Sequence, residues 1–232
     1  MARAAPADEP EIVSDRPGFG ESASVVGSGR VQVETGGTWT RSDSSTSVVD
    51  LPEGLVRFGL GRSLELRVTA PGWVWAHGAS GAGSGWSDAA LGLRGHIAAG
   101  QGDLALRGTV YVPTGRESQS AEGPEPEVAL AWSRALPAHW SFGATLSVRR
   151  LRLLHENLTS PSVSLGHPLG AHVATFVEYG ANLAREDHAV HKLDHGYTWI
   201  VNPHTQLDAA LGVGLSAAGP SFFAGLGFSR RF

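Results

Sequence analysis

The chain has 232 residues, 41% hydrophobic and only 17% charged, with a net charge of −4 and no cysteine. This apolar content is too high, and the charge too low, for a disordered chain. A disulfide scaffold, a cysteine-ligated zinc site and a cysteine nucleophile are excluded, and the acidic balance speaks against a nucleic-acid-binding domain, which is normally basic. Glycine is abundant, 31 residues, roughly twice its usual share. Lys192 is the only lysine.

In chain order, Met1 to Pro10 lacks the apolar run of about 7–15 residues that a secretory signal needs. Ala2-Arg3-Ala4 nevertheless has the form of a cleavage site. A processed chain carrying an added Met and a cytoplasmic chain with a polar start both fit this stretch alone. Residues 1–29 are rich in Pro, Gly, Ser and acidic residues, with few apolar residues, Val25-Val26 among them.

From residue 30 onward a two-residue rhythm takes over. Val31, Val33 and Trp39 alternate with Gln32, Glu34 and Thr38. Val56 and Phe58 alternate with Arg57, and Leu64, Leu66 and Val68 with Glu65 and Arg67. Leu91, Leu93 and Ile97 alternate with Arg94 and His96, and Leu104, Leu106 and Val110 with Arg107 and Thr109. The pattern continues through Val128-Leu130-Trp132, Trp140 to Val148, Val163-Leu165, Val173 to Tyr179 and Tyr197 to Val201. Residues 209–228 carry no charge over twenty positions, the length of a membrane helix. Five glycines and Pro220 oppose a helix there. Leu207, Leu211, Val213 and Leu215, then Phe222, Leu226 and Phe228, predict two strands around an Ala-Gly-Pro turn. About twelve strands result.

Connections alternate between tight and loose. The tight ones fall at Gly61-Arg62, Ala99–Gly102, Leu136–Ala138, Pro168–Gly170 and Asn202–His204. The longer ones fall at Arg41–Ser47, Ala76–Gly85, Thr114–Pro124, Arg150–Asn157 and Asn182–Ala189. Short turns on one side and longer loops on the other define an up-and-down membrane barrel. An even strand number puts both termini on the short-turn side.

The face opposite the large apolar residues is Gly, Ala, Ser and Thr with scattered charge. Glu53, Arg57, Glu65, Arg67, Asp88, Arg94, Arg107, Glu178 and Asp208 all share that phase. Twelve strands enclose a lumen too wide for such small residues to fill. The charged face therefore predicts a polar interior, and the apolar face predicts contact with lipid. Trp39, Trp132, Trp140, Tyr197 and Trp199 fall where aromatic girdles lie. The competing reading is a soluble β-sandwich with those aromatics in its core, since alternation alone does not say which face is dry.

Several short motifs, in order, resemble one known family. Asp15-Arg16-Pro17-Gly18-Phe19-Gly20-Glu21 is similar to its N-terminal Asp-Arg-Pro-x-Phe-x-Glu signature. Gly29 to Glu34, Leu51-Pro52-Glu53 with Val56 to Leu60, and Leu64 to Arg67 resemble its first three strands. Val112 to Gly115, Ala131-Trp132-Ser133, Val177-Glu178-Tyr179 and Gln206-Leu207-Asp208 follow in the same order. The family is that of outer-membrane barrels described by the MetA-pathway of phenol degradation. The resemblance runs from about residue 15 to the end. It implies a Gram-negative outer-membrane barrel passing small solutes, and an aromatic solute follows from the family label alone.

The C-terminal run Phe222, Ala224, Leu226, Phe228 and Phe232 resembles the signal read by the barrel assembly machinery, with Arg230 departing from it. The interior charges have two compatible readings, a constriction that sorts solutes and mutual neutralisation across the lumen. Arg16, Phe19 and Glu21 are candidates for a plug folded into the lumen; the alternative is a periplasmic tail. No G-x-S-x-G, H-E-x-x-H or P-loop occurs. His191 and His195 share a strand face but lack a third metal ligand nearby.

The expectation is thus an all-β protein, a transmembrane up-and-down antiparallel barrel of about twelve strands. Residues 1–29 form an extended N-terminal segment and 30–232 the barrel. Its predicted role is passive uptake of small solutes at the cell outer membrane, without catalytic residues, metal or cofactor. Its expected partners are lipid, the assembly machinery and an unnamed solute, not nucleic acid. An outer-membrane lipid hydrolase using His188 or His191 with a serine, and a sealed structural barrel, are the alternatives.

Overall fold

The computed structural model describes residues 10–78, 83–185 and 189–232. His188 lies outside the described residues. The alternating pattern folds into β1 (Val31–Arg41), β2 (Ser47–Gly59), β3 (Leu64–Ala70), β4 (Trp73–His77), β5 (Gly85–Trp86), β6 (Ala89–Ala99) and β7 (Gly102–Val112). It continues as β8 (Glu125–Ala135), β9 (Ser141–Leu151), β10 (Glu156–Pro168), β11 (Val173–Asn182), β12 (Val190–Asn202), β13 (Thr205–Gly214) and β14 (Phe222–Arg231).

These segments make twelve staves. Both β3 and β4 pair with β2, so they are halves of one stave interrupted at Pro71-Gly72. Pro71 has no N–H to give the ladder, and such interruptions re-aim a strand. Facing them, β5 pairs with β4 and β6 with β3, so these two also form one stave. Every pairing is antiparallel, and apart from the closing pair each joins staves consecutive in the chain. Pairing of β1 with β14, from Gln32↔Arg231 to Arg41↔Phe222, closes the sheet. Closure removes both edges, the condition for a sheet to sit in hydrocarbon.

The connections after β1, β4, β7, β9, β11 and β13 share one rim, and the tight turns share the other with both ends of the barrel. One expectation is corrected. The Arg150–Asn157 connection is a four-residue turn, because Asn157 pairs with Arg150 and Glu156 with Leu151. Among the described residues no helix is long and apolar enough to cross a membrane.

The molecule is inside-out relative to a soluble domain. Arg57, Glu65 and Arg94 are 0% exposed, whereas Leu211 is 57% and Leu226 70% exposed. Leu91, Leu106, Val128, Leu146, Val163 and Val177 join the same outward apolar band. Soluble proteins rarely expose contiguous apolar patches above a few hundred Å2. The solvent around this wall is therefore hydrocarbon, and the soluble sandwich is excluded. A charge at the middle of the band should be costly. Leu146→Arg, at the centre of β9, is expected to lower folding stability by about 2–4 kcal/mol, read by urea unfolding in lipid vesicles.

Candidate functional site

One wall of the lumen carries four guanidiniums on adjacent staves: Arg57 on β2, Arg67 on β3, Arg94 on β6 and Arg107 on β7. Arg57 lies directly opposite Arg67, and Arg94 directly opposite Arg107. Like charges so placed repel. The wall supplies some of the compensation itself. Glu65 bonds Arg57 at 2.9 Å and Arg67 at 2.8 Å and lies 3.6 Å from Arg94. Glu34 of β1 bonds Arg57 at 2.9 Å, and Glu127 of β8 bonds Arg107.

The rest comes from residues before β1. Asp15 bonds Arg67 at 2.7 Å and Arg94 at 2.8 Å. Glu21 bonds Arg107 at 2.8 Å and also Arg94. Burial pushes both carboxyls up, but the neighbouring guanidiniums win. Arg94, Arg57 and Arg67 hold Asp15 well below its ordinary 3.8, and Arg94 and Arg107 hold Glu21 below 4.5.

The N-terminal segment therefore lies inside the barrel. It meets the short-turn rim where the Ile12 N–H donates to Pro203 O at 2.9 Å. Arg16 donates to Glu53 at 2.7 Å and to Leu226 O at 3.1 Å, and lies 3.5 Å from Asp208. The segment turns around Phe19, whose ring packs 5.6 Å from that of Phe223. Glu178 accepts the N–H groups of Phe19 and Gly20. The chain then descends past Ala23, packed on Ala105 and Ala131, and Val26, whose N–H donates to Glu65 at 2.8 Å. It regains the rim where Gly29 N–H donates to Gly59 O at 2.9 Å.

Wall glycines make room for this path. A side chain at Gly36 or Gly227 would strike Arg16, one at Gly180 would strike Phe19, and one at Gly59 would strike the backbone of Gly27. These four glycines are thus space for a buried segment rather than turn chemistry.

Most residues expected in the lumen are there. Arg57, Glu65, Arg67, Arg94, Arg107, Glu178 and Asp208 are buried and inward, and Glu53 is half-buried against Arg16. Asp88 is a correction. It sits in the break between β5 and β6, and accepts the N–H groups of Thr114 at 3.1 Å, Gly115 at 2.9 Å and Ala121 at 2.9 Å. Its phase is inward, but at the rim its carboxylate is taken by N–H groups of the loop after β7. The sequence reading passed over Asp15, Glu34, Glu127, Lys192 and Asp194. Extending the alternation of β12 backward from Thr198 and Gly196 would have placed Asp194 and Lys192 on the inner face.

The opposite wall, β9 to β12, is different in kind. Ser141, Gly143, Thr145, Ser162, Ser164, Gly166 and Thr198 line a cavity of about 240 Å3 beside the segment toward the short-turn rim. Toward the long-loop rim, cavities of about 440 and 290 Å3 flank Phe19 and Lys192. The lumen thus has a salt-bridged side, where most ion pairs to the segment lie, and a hydroxyl-rich side, where Thr145 accepts the Glu21 N–H at 3.0 Å.

On the outer surface, Trp132, Trp140 and Trp199 gather toward the short-turn rim and Trp39 and Phe222 at the other. His191 bonds the Tyr179 hydroxyl at 2.6 Å and His195 the Thr175 hydroxyl at 2.8 Å. Among the described residues no group of three or more His, Cys, Asp or Glu could hold a metal. Phe228 and Phe232 point outward on β14 and just beyond it. Arg230 shares their face, stacked 5.3 Å over the Phe232 ring.

Fold and lumen together define an outer-membrane-type β-barrel with an occupied interior. The chain belongs to the family described as Putative MetA-pathway of phenol degradation, whose model matches residues 14–232. No curated protein matches the sequence. Among solved structures it is similar to the COG4313 outer-membrane channel from Pseudomonas putida F1, with TM-score 0.68, 16% identity, and 93% of this chain and 99% of that one covered. It is also similar to the KdgM porin, with TM-score 0.63, 6% identity and 87% and 99% coverage. The NanC porin follows, with TM-score 0.59, 9% identity and 86% and 98% coverage. At these identities the likeness shows the fold.

Two outcomes follow from the ion pairs. Arg94→Met leaves Asp15 and Glu21 short of a partner, a loss of about 3–5 kcal/mol for a buried pair. Amide exchange at residues 12–26 should accelerate while exchange in the strands holds. Depressed carboxyls stabilise the seated segment above their ordinary values and lose that contribution as pH falls through the depressed ones. Protection of residues 12–26 should therefore be flat from pH 8 to about 5 and fall only below the ordinary 3.8 of Asp15.

Proposed function

We propose that the protein is an outer-membrane channel for passive uptake of small solutes, with residues 10–29 seated in the lumen as its constriction. The observation that carries this reading is the divided lumen. A plain structural barrel has no need for a hydroxyl-lined cavity, which we read as a passage, beside a segment whose ion pairs lie mainly on the arginine wall. Serine and threonine hydroxyls rotate to donate or accept, so such a passage replaces solute hydration without strong trapping. The short turns would face the periplasm, as in barrels of this type, so the segment enters from that side.

The neighbours' descriptions as channels and porins support transport rather than catalysis. The family description, which names phenol degradation, supports small aromatic solutes. Phe228 and Phe232 are the proposed contact for the barrel assembly machinery, since both stay outward at the strand that closes the sheet.

Single-channel conductance tests the reading. Refolded full-length protein in a planar bilayer should show discrete steps. A form lacking residues 1–28, shown closed by heat-shifted gel mobility, should conduct several-fold more. Equal conductance in the two would remove the constriction. Silence from both would remove the channel.

A further inference from the structure

Two carboxylates in the lumen stand apart from the arginine wall. Glu178 on β11 lies directly opposite Asp194 on β12, both face inward, and each residue is 3% exposed. Like charges directly opposite on neighbouring strands destabilise a sheet, so the arrangement is costly unless something compensates it. Glu178 is partly satisfied by the N–H groups of Phe19 and Gly20. Neither carboxylate oxygen of Asp194 has a side-chain hydrogen-bond partner. Asp194 lines the cavity of about 440 Å3 toward the long-loop rim. The other opposite charges there, Arg16 and Glu53, neutralise each other at 2.7 Å.

Lys192 stands two residues before Asp194 on the same face. Its ammonium lies 4.2 Å from the centroid of the Phe19 ring. That ammonium touches the aromatic face and acts on the two carboxylates through space, without an ion pair to either. Aromatic faces bind ammonium groups, and more strongly where water is thinned. With both carboxylates ionised, the cluster carries one negative charge more than Lys192 offsets. An aromatic face beside carboxylates suits an organic ammonium better than a metal ion, which would need more oxygen ligands.

We propose that Asp194, Glu178 and the Phe19 ring form a binding station for a small organic ammonium, with Lys192 as its resident cation. An arriving amine donates to the free oxygens of Asp194 and takes the ring face as Lys192 swings aside. The same charges repel carboxylates. The site stands on its own geometry; its consequence for transport, that amines pass in preference to acids, rests on the channel reading.

The test uses full-length protein refolded in detergent, with benzylammonium and benzoate as probes in isothermal titration. Benzylammonium should bind and benzoate should not. Asp194→Asn should weaken benzylammonium by at least about tenfold, the loss of one charge-assisted hydrogen bond. Lys192→Gln should tighten it several-fold, because the resident cation is gone. Heat-shifted mobility reports closure of both variants. Equal binding of the two probes, or unchanged affinity in both variants, would overturn the station. In a planar bilayer under a KCl gradient, the reversal potential should favour potassium and move toward zero in Asp194→Asn. Ammonium binding in a barrel that never conducts would keep the station and discard the channel. Conduction without ammonium binding would do the reverse.

Discussion

Four arginines on one wall of a closed barrel set the terms for the rest of the molecule. In two registers a guanidinium faces a guanidinium across neighbouring strands, in a lumen walled by protein and ringed by lipid. Repulsion there is poorly screened. Glu34, Glu65 and Glu127 relieve part of it from within the sheet, and Asp15 and Glu21 add carboxylates from outside the sheet. The wall holds the segment because the segment completes the wall. Removing either side leaves buried charge without a partner, which is far worse than an absent pair.

That exchange explains the spacing of the N-terminal motif. Asp15 and Glu21 reach the same guanidinium, Arg94, so the chain between them must loop away and return. Phe19 lies in the loop, with its N–H on Glu178 and its ring against Phe223. Arg16 faces the other way, toward Glu53 and Asp208. Wall glycines lie beneath the residues that would otherwise collide. Motif and barrel are two halves of one packing problem.

The same asymmetry leaves open space in the lumen. The arginine wall carries most of the ion pairs to the segment, while Thr145 of β9 and Glu178 of β11 hold its backbone N–H groups from the other side. The serines and threonines of β9 and β10 face what remains. Lipid outside and a polar filling inside exchange the usual places of core and surface, so stability here rests on ladder hydrogen bonds and buried ion pairs rather than on an apolar core.

Sequence alone determined the class of fold. Strand number, the sidedness of the loops and the choice of lumen and lipid faces all follow from a period of two, which is local and needs no partner to be visible. The inward phase of Arg57, Glu65, Arg67, Arg94 and Arg107 was legible for the same reason. What period cannot encode is who meets whom. That Asp15 serves three arginines from β2, β3 and β6 depends on a segment far away in the chain returning through the lumen. That Asp88 leaves the lumen for a loop depends on its height at the rim. That Glu178 faces Asp194 depends on the register of β11 against β12, and a one-residue slip would turn one of them to lipid. Phase is written residue by residue; register, depth and the seat of the segment belong to the closed barrel, because only closure places the two walls across from each other.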